Sequence, residues 1–348
     1  MKTISEFDKN FKLESKINKN DIEFYDVLNA PFKVCGLIYE DGKFLRMKKS
    51  VAENVSEGVN YLNTNTAGGR VRFKTDSPYI AIHAKMSNVG KMPHFALSGS
   101  CGFDLYDGKT YIGTFMPPFD LREGYESVIE LPSKKLREIT IHFPLYSGVE
   151  SLYIGISEES QLLPPSDYIL DKPVVFYGSS ITQGGCASRP GSSYDNIVGR
   201  ELMLDHINLG FSGNAKGEDT IAEYISQLDM CAFVYDYDHN APTAEHLEKT
   251  HKKMFDTIRK NHPSTPIIMM SRPKYTLTKD EKIRREIVKK TYISAIQGGD
   301  KNVYFISGTE LMRLCKNEGT VDNCHPTDLG FFSMSRAVIK TLKKALDL

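Results

Sequence analysis

Four short stretches gather small, hydroxylic and titratable residues: GSSITQGG (178–185), GFSGNA (210–215), DHNAP (238–242) and DNCHPTDLG (322–330). A serine hydroxyl is a weak nucleophile at neutral pH. It becomes effective when a base removes its proton and a third group holds that base in one tautomer. Asp322 and His325 stand three residues apart, so a single turn of chain can bring the carboxylate to one imidazole nitrogen while the other faces outward. Ser180, His325 and Asp322 are therefore candidates for nucleophile, base and orienting acid. Acyl transfer also needs donors directed at the developing oxyanion. Gly213, lacking a Cβ, can bring its backbone N–H close, and Asn240 can offer a side-chain amide. Plainer readings exist for each: Ser180 as a helix N-cap, Gly213 and Asn240 as turn residues, Asp322 in a turn before a helix that His325-Pro326 introduces. Four such signals in this order, at separate strand ends, weigh more together than singly.

Other glycine-rich chemistry is poorly supported. The stretch after residue 177 lacks the Lys-Ser/Thr of a P-loop, no Gly-x-Gly-x-x-Gly is present, and Thr182 occupies the second glycine of a Gly-x-Ser-x-Gly elbow. Asp238, His239 and Arg189 are candidate substrate contacts, with a surface loop explaining the first two and capping or packing explaining Arg189 and the nearby Tyr194.

The first half reads as β-structure. In GRVRFKTDSPYIAIHAKM, Val71 and Phe73, then Ile80, Ile82, Ala84 and Met86, alternate with polar residues, and REITIHFPLYSG repeats the pattern with Ile139, Ile141, Phe143 and Leu145. Turn signals at short intervals predict an antiparallel sandwich, jelly-roll-like, over residues 1–165. His83 and His142 fall opposite the apolar face and are expected to be solvated. Residues 157 to 173, with two consecutive prolines and acidic residues, mark the boundary. Beyond it, over residues 172–348, continuous apolar runs (PVVFYG, HINLGF, MCAFVYDY, TPIIMMS, NVYFISG) alternate with helical stretches, which predicts a parallel sheet covered on both faces, a three-layer α/β/α domain. One helix carries Leu247, Met254, Phe255 and Ile258 on one face. A second opens with the Thr278/Glu281 capping box and is expected to turn Ile283 and Ile287 inward. A third carries Phe331, Val338, Ile339 and Leu342. In such a sheet, functional groups gather where strands end at their carboxyl side, and all four motifs fall there.

The chain has 348 residues, long enough for two domains, and its 44 basic residues equal its 44 acidic ones. No basic field is available to hold nucleic acid or an anionic membrane. The charged start lacks the apolar core of a signal peptide and no stretch is long and apolar enough to span a bilayer, so a soluble cytoplasmic protein is expected. Six scattered cysteines show no Cys-x-x-Cys pair, predicting neither a zinc cage nor a disulfide framework. Cys186 and Cys324 lie inside two of the motifs and are candidates to meet in space.

The second half resembles the SGNH/GDSL hydrolase superfamily. GSSIT resembles its first block, with Ser180 as nucleophile. Gly213 in NLGFSGNA corresponds to the second-block glycine, Asn240 to the third-block asparagine, and Asp322 with His325 to the fifth-block Asp-x-x-His-Pro. The resemblance implies an oxyanion hole made by the backbone N–H groups of Ser180 and Gly213 and the amide of Asn240. Ser179 stands where the family has aspartate, a change expected to alter loop bonding more than chemistry, and DYDHNAP replaces Gly-x-Asn-Asp in the third block. Gly102, Asp104, Leu105 and Tyr106 in CGFDLYDG match the Gly-x-Asp-Leu-Tyr pattern of a β-domain fused to some of these hydrolases, although closing a turn or packing a sheet edge would explain them equally. Such two-domain proteins resemble carbohydrate esterases. The implied function is a serine esterase, without metal or other cofactor, acting on a small-molecule or oligosaccharide ester, with O-acetyl sugars foremost. A lipase or acyl thioesterase of the same superfamily and a catalytically silent carbohydrate-binding protein are the alternatives.

Overall fold

The computed structural model describes residues 15–348. The alternating apolar residues of the first half form two antiparallel sheets. One has the order Ile22–Asp26, Gly148–Ser157, Tyr79–Ser87, Gly124–Glu130. In the other, Leu162–Leu163, Arg70–Thr75, Arg137–His142, Phe103–Asp107 and Thr110–Phe115 lie side by side, with Lys33–Cys35 also pairing onto Arg70–Thr75. The inward rows, among them Val71, Phe73, Ile80, Ile82, Ile139, Ile141 and Ile154, interdigitate into one apolar core, as a period of two requires. The expected break at 157–173 is partly structured: Leu162–Leu163 adds to the sheet edge before the chain leaves the sandwich.

The second half forms a five-stranded parallel sheet in the order His206–Gly210, Val174–Gly178, Ala232–Asp236, Ile267–Met270, Val303–Ile306. The chain moves from Val174–Gly178 to one neighbour and then to the other, so the order reverses there. Ligands in open α/β sheets bind in the crevice beyond the strand ends at such a point. Separate apolar layers lie on the two faces of the sheet. Leu247, Met254, Phe255 and Ile258 are buried on helix Ala244–Asn261, and Phe331, Val338, Ile339 and Leu342 on helix Asp328–Ala345. The capping box forms at Thr278, whose hydroxyl accepts from Glu281 N at 3.3 Å while Glu281 returns a carboxylate to Thr278 N at 2.8 Å. That helix is rotated from expectation. Ile283 is 49% exposed and Ile287 only partly buried, because Arg284 takes the inward position, donating to the Asp238 and Ala241 carbonyls at 3.1 Å each.

The two halves share their cores. Met47, Ala52, Val59 and Leu62, on or beside the short helices Lys49–Val55 and Glu57–Asn63, pack with Val175, Tyr177 and Leu209 of the parallel sheet. Ala67, Phe95, Leu145 and Tyr146 join the apolar layer on its other face. Among the described residues, no helix is long and apolar enough to cross a membrane.

Candidate active site

The fully buried strand Val174–Gly178 ends where Asp236, from the end of its neighbour, reaches beneath it. Gly178 is required there, since a Cβ would stand 1.9 Å from Asp236 Oδ1. That oxygen accepts from Thr182 Oγ1 at 2.7 Å and from Ser179 N at 3.4 Å. The Ser179 hydroxyl caps the following turn, accepting from Ile181 N at 3.2 Å. Ser179 thus bonds the loop as its position predicts, and the carboxylate beneath the loop comes from Asp236. Burial pushes the Asp236 carboxyl up to about 7, against the opposing bonds from Thr182 and Ser179. Ser180 opens the short helix Ser180–Gln183 and is 7% exposed.

The loop before the last helix presents His325. Asp322 Oδ1 accepts from the backbone N–H groups of Cys324 (3.0 Å) and His325 (2.7 Å), an Asx turn that fixes the imidazole's approach. Asp322 Oδ2 lies 2.7 Å from His325 Nδ1, and His325 Nε2 lies 3.0 Å from Ser180 Oγ. With the proton on Nδ1 directed at the carboxylate, the Nε2 lone pair faces the hydroxyl. Partial burial raises the Asp322 carboxyl, but the bonds from His325 and Cys324 outweigh it and hold it down at about 2, so the orienting group is ionised throughout the neutral range.

Donors stand on adjoining loops. Gly213 has φ +69°, and nothing lies within 4 Å of where its Cβ would be. Its left-handed backbone favours glycine, and the space beside it is open. The N–H groups of Ser180 and Gly213 meet no acceptor among the described residues. Asn240 donates one amide hydrogen to Phe211 O at 2.9 Å, which leaves its second hydrogen available and ties it to the loop carrying Gly213.

The remaining candidates sit elsewhere. Asp238 is buried, its carboxylate paired with Arg272 and Arg284, so its charge is used inside the fold and not on substrate. Arg189 points into the domain interface. It donates to Asp104 Oδ2 at 3.2 Å and to the Tyr106 hydroxyl, and lies over the Tyr111 ring at 4.0 Å. His239 stands beside the base-bearing loop, with Nδ1 3.8 Å from Cys324 Sγ and a buried Nε2 that has no partner among the described residues. Burial first, then the charges of Arg272 and His325, pull its imidazole down to about 3, so it is neutral.

Three contributors escaped the sequence reading. Gln183 accepts from Ser212 N at 3.0 Å and donates to Asn65 Oδ1 at 3.1 Å, joining the nucleophile turn, the Gly213 loop and the first domain. Tyr146 of the first domain donates to Ser180 O at 3.1 Å. His94, also from that domain, sets its ring centroid 5.7 Å from that of His325. Gln183 had a weak signal, since it lies three residues after the nucleophile; the other two had none. His94, Asp322 and His325 could between them hold a metal ion, with one ligand atom from each lying within 4.8 Å of the others.

The Asp-Leu-Tyr segment is more than a turn. Asp104 is fully buried on strand Phe103–Asp107, 2.9 Å from His142 Nδ1, and accepts from Gly191 N at 2.9 Å. His142, expected to be solvated, is 2% exposed because this carboxylate holds it at the interface. His83 is half-buried and lies 2.6 Å from Glu126 Oε1.

Residues 171–343 match the GDSL-like lipase/acylhydrolase family, and residues 22–162 match the N-terminal domain of SGNH-hydrolase-type esterases. The chain belongs to the SGNH/GDSL hydrolases. A protein from Bacteroides ovatus ATCC 8483 assigned as a GDSL-like lipase is 28% identical, with a TM-score of 0.83 over 94% of this chain and 98% of its own. A salicylyl-acyltransferase from a tetracycline biosynthetic pathway is 19% identical, with a TM-score of 0.75 over 94% and 98%. An acetyl xylan esterase from the rumen bacterium Butyrivibrio proteoclasticus is 13% identical, with a TM-score of 0.60 over 94% and 99%. The last two likenesses concern the fold alone: an SGNH α/β/α domain behind an antiparallel β-domain. No curated protein sequence matches the chain.

Proposed function

We propose that this SGNH/GDSL hydrolase is a serine esterase that removes small acyl groups, acetyl foremost, from the hydroxyls of sugars or oligosaccharides. The observation that carries the reading is the continuous relay from Ser180 Oγ through His325 (3.0 Å) to Asp322 (2.7 Å). His325 Nε2 takes the hydroxyl proton as Ser180 Oγ bonds to the ester carbonyl carbon. The carbonyl oxygen becomes anionic and is met by the N–H groups of Ser180 and Gly213 and the free amide hydrogen of Asn240. Collapse of the tetrahedral intermediate breaks the bond to the alcohol, which leaves with the proton from His325. Water, deprotonated by the same nitrogen, then attacks the acyl-serine; acid is released and Ser180 regains its proton.

Small, polar loops beside the motifs (QGGCASRPGSS, DHNAPTAEH) suit a short acyl group and a polar alcohol. The acetyl xylan esterase of similar fold points the same way. The test is acetate release from a panel of acetylated oligosaccharides, with rates on acetyl, butyryl and octanoyl esters of one chromophore alongside. The Bacteroides ovatus protein assigned as a GDSL-like lipase supports a second reading, action on long acyl chains, which a preference for the octanoyl ester would establish. A fluorophosphonate probe that fails to label Ser180 would leave a binding-only protein.

A further inference from the structure

We propose that His94, Asp322 and His325 form a binding site for a zinc-like divalent cation, built across the two domains, whose occupation switches off Ser180. His94 lies between strand Tyr79–Ser87 and the turn Leu97–Ser100 of the first domain. Its neighbour Phe95 is buried and packs edge-on against Tyr146 with centroids 5.2 Å apart, while Ser98 Oγ donates to Ser188 O at 2.7 Å. The chain just after His94 is therefore held against the second domain, by Phe95 in the shared apolar layer and by the Ser98–Ser188 bond. The His94 ring itself is exposed, and its nitrogens take no hydrogen-bond partner among the described residues.

Ligand atoms about 2.1 Å from a tetrahedral zinc ion lie roughly 3.4 Å from one another. The three groups here start within 4.8 Å, and the Asp322–His325 hydrogen bond of 2.7 Å would open by a few tenths of an ångström as the ion replaces its proton. Rotation of the exposed His94 ring closes the remainder. Two imidazoles and one carboxylate suit zinc, whereas magnesium and calcium favour all-oxygen sets.

The consequence for Ser180 follows from the imidazole's single lone pair. A cation on His325 Nε2 takes the pair that would receive the serine proton. On Nδ1 it takes the place of the ring's one N–H proton, which moves to Nε2, so that Nε2 has no free lone pair and is no longer a base. Either way, one ion and one deprotonated Ser180 cannot both be served by His325. Loss of reactivity rests on the esterase reading above; cation binding does not.

Zinc chloride would be titrated into the full-length protein by calorimetry, and fluorophosphonate labelling of Ser180 followed at the same zinc concentrations. One zinc per chain is expected, with labelling slowing over the same range, and magnesium chloride without effect. His94→Ala should weaken zinc binding at least about tenfold, as loss of a supporting group already costs that much, with labelling measured against the variant's own zinc-free rate. Cys324→Ser, which removes the nearby thiol, should leave the titration unchanged. Failure of zinc to bind, wild-type affinity in His94→Ala, or loss of binding in Cys324→Ser would each overturn the proposal. If Ser180 never labels, yet zinc binds in a His94-dependent way, the esterase reading falls and the cation site stands.

Discussion

The nucleophilic role proposed for Ser180 depends on its neighbours. Its hydroxyl lies 3.0 Å from His325, and His325 is aimed by Asp322, which the bond from the His325 ring and then the loop's own N–H groups keep ionised. Members of such a relay act as a unit, so Ser180→Ala and His325→Ala should each lower kcat on an aryl acetate by about a million-fold, with the fold unchanged by circular dichroism. Near-normal turnover in either variant would remove Ser180 from the mechanism. In the proposed mechanism Asn240 acts on charge that exists only in the transition state. Asn240→Ala should lower kcat by about a hundred- to a thousand-fold with little change in KM. A change confined to KM would make it a substrate-binding group.

At the scale of elements, the strand ends do the positioning. Asp236 closes one strand and holds the turn that leaves another, through Ser179 N and Thr182. Its Oδ2 is buried and meets no partner among the described residues, so ionisation would leave charge uncompensated there. Folding raises this carboxyl from 3.8 to about 7. A group whose folded-state pKa is raised binds its proton more tightly folded than unfolded. Its contribution is complete below the unfolded value and is lost as pH rises toward the folded one. Wild-type stability should therefore fall between about pH 4 and pH 7 through this group. Asp236→Asn, neutral at every pH, should flatten that fall. Urea midpoints measured across this range check it, and equal slopes in the two proteins would place the titration elsewhere.

Across the whole molecule, the sandwich is part of the site's construction. Tyr146 bonds the backbone of Ser180, Gln183 is held through Asn65, and residues of the first half complete the apolar layers of the second. Asp104 clamps the segment that follows the nucleophile by binding His142, Arg189 and Gly191 N from full burial. Removing one partner of a buried charged set leaves the others uncompensated, at about 3–5 kcal/mol. Asp104→Ala should lower the urea midpoint by that equivalent. An unchanged midpoint would mean that the clamp contributes nothing to joining the domains.

Local pattern determined much of this protein by itself. Alternation of period two in Val71–Phe73 and Ile139–Ile141 can bury only one face of a sheet, and continuous runs such as VVFYG suit only strands covered on both sides. Asp322 and His325 were legible because three residues are one turn of chain, and the first three motifs because each follows an apolar strand-like run. Tertiary structure decided what depends on pairs far apart in sequence. Ile283 yields the inward position to Arg284 because Asp238, 46 residues away, needs a counter-charge. Arg189 turns from substrate to Asp104, and His142 from solvent to the same carboxylate, since a buried charge must find its partner wherever the fold brings one. His94 and Tyr146 reach Ser180 and His325 only because two separately patterned halves close on one another, and sequence periodicity carries no record of that contact.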